Sequence, residues 1–165
     1  MKKINDEWLD NHIIELKNIY EILKDDSIEF IKQDKIWSKR MKIELGIKEN
    51  ESLIIPASEL GRVKFDNSHL HFKEEMKKYD VDMIRVIQSL FWIGREVNGK
   101  RPRKNGYKVI NTYLYNESKD SIIEYLTGKR SDVLFRDIER GLMLSGMLDK
   151  VKGAIAYEKV SGRNN

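Results

Sequence analysis

Lys100, Arg101, Arg103, Lys104 and Lys108 fall close together around Pro102 and the turn dipeptide Asn105-Gly106. Five cations on a punctuated segment do no bond-making chemistry, but they are what neutralising a run of phosphates requires. The strip they belong to, residues 85–108, carries seven Arg or Lys side chains against one acid. It therefore holds a formal +6, whereas the whole chain sums to +4. The sequence pI near 9.1 is thus a local property, and a local concentration of charge is the electrostatic footprint of a polyanion contact. Pro102 would limit the entropy lost when such a loop docks. Tyr107, Tyr113 and Tyr115 would add stacking on a single strand, unless their alternation places them in the core.

A second basic pair, Arg136 and Arg140, is one turn apart on an expected helix. There it offers the kind of face a major groove accepts, or ordinary pairing of Arg136 with Asp132 and of Arg140 with Asp137. The order of elements around it is similar to a winged helix: a short helix at 120–127, a turn at Gly128-Lys129-Arg130, a longer helix at 131–147 and a terminal hairpin carrying Lys150 and Lys152. The third helix of that arrangement has no counterpart.

Other constellations are weaker. His69 and His71 flank Leu70, and an H-x-H on a strand points both rings to one face, yet no third histidine lies near and no metal is expected. Asp66 with Glu75 and Lys77 would suit a magnesium-dependent nuclease if the Glu75-Met76-Lys77 triplet lay on a strand. That triplet reads as helix, and the same pattern recurs at Glu15-Leu16-Lys17 and Glu117-Ser118-Lys119. No phosphate-binding glycine loop, dinucleotide fingerprint or nucleophile elbow is present. Cysteine is absent, which excludes a disulfide framework, a thiolate zinc site and a cysteine nucleophile. Trp8, Trp37 and Trp92 read as core or interface, and any of them exposed would be an anchor for a partner.

The elements that must position these residues follow from periodicity. Leu9, Ile13, Leu16, Tyr20 and Leu23 make the apolar stripe of a helix from about Asn5 to Lys24. Asp26 and Glu29 form a capping-box pattern that predicts a second helix ending at Gly46, joined to the first through Asp25–Ser27. Leu53-Ile54-Ile55 and the 61–65 alternation read as short strands, and residues 68–79 fit either a helix or a strand. Val81 to Val97 is the most apolar helix and the expected centre of the molecule. The β-branched and aromatic run 107–115 predicts a strand, and 150–160 predicts a closing hairpin or strand.

These readings give one domain spanning 1–165, with an N-terminal helical pair at 1–46, a mixed portion at 47–165 and a basic loop at 98–108. The fold class is α+β and helix-dominated, with five or six helices and a small antiparallel sheet from 53–65, 107–115 and 150–160. The N-terminus is charged and amphipathic, unlike a signal peptide, and no segment is long and apolar enough for a membrane, so a cytoplasmic location is expected. Heavy use of Lys, Ile and Asn fits an AT-rich coding genome such as that of a Firmicute or one of its phages, and a phage, plasmid or similar element is the expected source. The leading function is a non-catalytic nucleic-acid-binding regulator or accessory protein without cofactor, with DNA ahead of RNA as partner. The alternative is a small inhibitor or adaptor of a nucleic-acid-handling enzyme, which would meet an acidic or nucleic-acid-binding protein, and a nuclease stands third.

Overall fold

The computed structural model describes residues 3–55, 70–103 and 106–155. Eight helices account for 71% of these residues, and no strand occurs among them. They are α1 (Asp6–Asn11), α2 (Ile13–Glu44), α3 (Leu70–Lys77), α4 (Val81–Glu96), α5 (Gly106–Thr112), α6 (Lys119–Thr127), α7 (Ser131–Leu144) and α8 (Leu148–Gly153).

The hydrophobic stripes decide the packing. In α4, Met83, Ile84, Val86, Ile87, Leu90, Phe91 and Ile93 are all buried, as are the polar Gln88 and Ser89 beside them, so this helix is covered on most sides and occupies the centre. Asp80 starts it by accepting a hydrogen bond from the Met83 amide at 2.9 Å, the side-chain cap that satisfies an otherwise unpaired helix N-terminal donor. Its main neighbour is α7, and the two backbones touch through glycines. A Cβ on Gly94 would stand 1.7 Å from the Asp137 carbonyl oxygen, and one on Gly141 would stand 1.9 Å from that of Leu90. On its other side α7 meets α2, where Tyr20 packs on Phe135 and donates to the Glu139 carboxylate at 2.5 Å. Helices α5 and α6 complete the shell around α4, and α8 closes on the N-terminal part of α2.

The expected sheet is therefore absent from the described residues, and the fold is all-helical there. Residues 107–115, expected as a strand, form α5 and the turn after it. The reason is tertiary: Gly106 lets the backbone press on Ser145, where a Cβ would come within 1.6 Å of the carbonyl oxygen, and Ile110 then points into the core. Of the segment 150–160, the described part is the end of α8 and a short extension. Of 53–65, residues 53–55 have no regular structure and 56–65 lie outside the described residues. The wing expected after α7 is replaced by α8, which carries Lys150 and Lys152.

The helical pair at 1–46 is also corrected. Apart from the short α1, which hands over at His12, the segment is one uninterrupted helix, about 48 Å long at 1.5 Å per residue. Asp26 does not cap a second helix on its own chain segment. Its carboxylate reaches across to the start of α3, accepting from the Phe72 amide at 3.2 Å and lying 3.1 Å from His71 Nδ1. Among the described residues no helix is long and apolar enough to cross a membrane.

Candidate nucleic-acid interface

Helix α4 ends with Glu96, and the chain turns out of the core through Val97, Asn98 and Gly99, the last at φ +135°, a conformation that only glycine adopts readily. Lys100, Arg101 and Arg103 follow, all exposed, and Lys108 is exposed on α5. Lys104 lies outside the described residues. The segment is fastened at three points to the C-terminal end of α7. The Arg103 amide donates to the Leu144 carbonyl at 2.8 Å, Arg140 donates to the carbonyl oxygens of Gly94 and, at 3.1 Å, Gly99, and Gly106 sits on Ser145. A loop held this way presents its side chains from a fixed backbone.

Between the loop and α5 runs a groove of about 520 Å³, lined by Glu96, Val97, Asn98, Arg103, Lys108 and Tyr113 among others. Among the described residues that line it, Glu96 is the only acid. Arg95 adds a further exposed cation in the last turn of α4, its guanidinium carbon 5.9 Å from the centre of the Phe91 ring. Arg95, Lys100, Arg101, Arg103 and Lys108 form no salt bridge with a described residue. Arg95 in the last turn of α4, with Lys100 and Arg101 just after it, stands at the end where the helix dipole favours cations.

The structure separates the two arginines of α7. Arg140 is half-buried and committed to the loop's backbone, so it holds the loop in place. Arg136 is 68% exposed, and its Nε donates to the buried Asp137 carboxylate at 3.0 Å. That bond and the added charge of Asp137 hold the guanidinium pKa above its ordinary value. Neither expected intrahelical pairing forms: Asp132 is taken by Arg130 at 3.0 Å, and Arg140 passes over Asp137 for the backbone. Of the three tyrosines, Tyr107 and Tyr113 pack on the core and Tyr115 is exposed.

The remaining sequence candidates fall elsewhere. His69 and Asp66 lie outside the described residues. His71 pairs with Asp26, Lys77 with Glu74 and Lys78 with Glu75. Glu75 also accepts from the Tyr79 hydroxyl at 2.6 Å, and its pKa is held below the usual carboxylate range chiefly by the Lys78 hydrogen bond, then by that of Tyr79. Glu75 and Lys77 lie on α3, not on a strand. Among the described residues no three acids, histidines or cysteines group as a metal site.

Sequence reasoning missed the anchoring role of Arg140, since nothing in its spacing distinguishes a residue that binds a distant carbonyl from one that faces solvent. Arg95 was visible in the basic strip, but its placement beside the loop needed the direction of α4. In comparisons with known protein families, curated proteins and solved structures, the chain matches none.

Proposed function

We propose that this chain is a non-catalytic nucleic-acid-binding protein, a regulator or accessory factor of a phage or mobile element, that grips the phosphate backbone with the 98–108 loop. The observation that supports the reading most is the cluster of exposed cations free of salt bridges to described residues, Lys100, Arg101 and Arg103 on a loop pinned to α7 and Lys108 on the adjoining α5, where the expected 98–108 loop gives way to helix at Gly106. Cations intended only to solubilise a surface are usually interspersed with acids, and here Glu96 stands alone. Lys104 belongs to the same contact by sequence. Arg95 and the exposed part of Arg136 extend it, while Arg140 positions the loop.

The arrangement suits contacts to phosphate more than to base edges. The loop is short, and Tyr115, the one exposed tyrosine among the described residues, is outside the groove lining. Duplex DNA is the preferred partner. The test is binding of labelled duplex DNA, single-stranded DNA and RNA at low and physiological salt. The proposal expects duplex binding that weakens steeply with salt, and absence of binding to all three at low salt would overturn it in favour of the inhibitor or adaptor reading.

A further inference from the structure

Helix α2 shows solvent a face on which the two signs of charge are largely segregated. Its inner side is buried from Leu16 through Leu23 and Ser27 to Phe30 and again at Met41, with Asp34, Trp37 and Ser38 half-buried between. Opposite, the N-terminal half exposes Glu21, Asp25 and Glu29 at four-residue steps, with Lys24 the one cation among them, and the C-terminal half exposes Lys32, Lys35, Lys39 and Arg40, with Glu44 at its end. None of these nine forms a salt bridge with a described residue. A helix that has only water to satisfy gains by alternating signs at i,i+4, and like charges at that spacing cost stability. Here Glu21, Asp25 and Glu29 repel in series, as do Lys35 and Lys39. The same face exposes three isoleucines: Ile28 at 59%, between Asp25 and Glu29, Ile36 at 47%, between Lys35 and Lys39, and Ile43 at 75%, beyond Arg40.

A face that is acidic at one end and basic at the other is complementary to itself when reversed. We infer that this face of α2 is the interface of a homodimer, in which two copies of the helix lie antiparallel across a two-fold axis near residue 30. In that register Glu21 of one copy meets Lys39 and Arg40 of the other, Asp25 meets Lys35, and Glu29 meets Lys32. Every pair is made twice, as an isologous contact demands. Ile28 and Ile36 lie between the ion pairs and supply the apolar area. The face from residue 18 to residue 43 is about 38 Å long, and one helix on one helix makes an interface at the small end of the stable range. Association is therefore concentration-dependent and weakened by salt. The inference is independent of the loop, which lies at the other end of α7 from the cationic half of α2.

Sedimentation equilibrium of the full chain over a range of micromolar concentrations at low salt is the direct test. Wild type is expected at twice the 19.5 kDa chain mass. The triple variant Glu21→Lys, Asp25→Lys, Glu29→Lys is expected to be monomeric, as is the triple variant Lys32→Glu, Lys35→Glu, Lys39→Glu, because each puts like charges opposite one another at 21 and 39, at 25 and 35 and at 29 and 32, with Arg40 the one opposed charge that the second variant keeps. An equimolar mixture of the two is expected to form heterodimers, which also shows that both variants fold. Wild type remaining at the monomer mass up to 100 μM would overturn the inference. So would triple variants that still self-associate, or a mixture that stays monomeric.

Discussion

Gly94 and Gly141 carry the close contact between α4 and α7, since each places its α-carbon against the backbone of the facing helix rather than against a side chain that could move. Alanine at either position would drive α4 and α7 apart. Gly94→Ala or Gly141→Ala is expected to cost about 3 kcal/mol or more, at or beyond the upper range for overpacked cores, whereas Gly153→Ala, with open space around it, should change stability by under about 1 kcal/mol. Urea unfolding of the three variants measures this, and a harmless Gly94→Ala would mean that the helices are further apart. Tyr20 supports a second prediction at the same scale. Burial first, and then the hydrogen bond to Glu139, push its phenol pKa above the ordinary value near 10. A group whose folded value is raised stabilises below its unfolded value and loses that contribution as pH rises through the window above about 10. Tyr20→Phe should therefore cost about 1–2 kcal/mol near neutrality, where Glu139 loses a donor, and should flatten the fall in stability above pH 10. The fall should not vanish, because burial and Glu75 push the Tyr79 phenol up as well. An unchanged alkaline profile would show that the Tyr20–Glu139 bond does not form.

Among the elements, α2 and α5 show where sequence reading succeeded and where it failed. Long stripes of apolar residues located α4, α6 and α7, because a buried helix face must repeat with the helical period whatever it packs against. Chain breaks were harder to read. Asp26 followed by Glu29 has the pattern of a helix start, but the Asp26 carboxylate serves α3, a partner far along the chain that no local pattern reveals. Likewise Tyr107 to Tyr115 has the composition of a strand, and it is the approach of Gly106 to Ser145 that makes a helix the better solution. Continuity of α2 is directly testable with proline. At Asp25 it would remove an interior hydrogen bond and clash with the preceding turn, so Asp25→Pro should cost about 3 kcal/mol or more, measured by thermal unfolding at low protein concentration. A neutral outcome would restore a helix–turn–helix at 25–27. Continuity also matters beyond stability, because only an unbroken α2 carries the acidic and basic halves of the proposed dimer face on one line. Net charge over residues 27–84 is zero, and this sum concealed the segregation.

Over the whole molecule, the basic loop was legible from sequence as a concentration of charge, while what fixes it was not: Arg140 and the Leu144 carbonyl are brought to it only by the packing of α7 on α4. The central claim is that this loop, rather than the general positive charge of the chain, makes a phosphate contact. Each phosphate neutralised on duplex DNA contributes about −0.9 to the slope of log affinity against log salt. Removing Lys100, Arg101, Arg103, Lys104 and Lys108 together should therefore flatten the slope by up to about 4.5. The deciding measurement is that slope for wild type and the five-fold alanine variant, by fluorescence anisotropy on one duplex between 50 and 200 mM salt, a range in which about five phosphate contacts change affinity by 10²–10³. A steep wild-type slope that collapses in the variant is the predicted result. Equal affinities and equal slopes in the two proteins would contradict it.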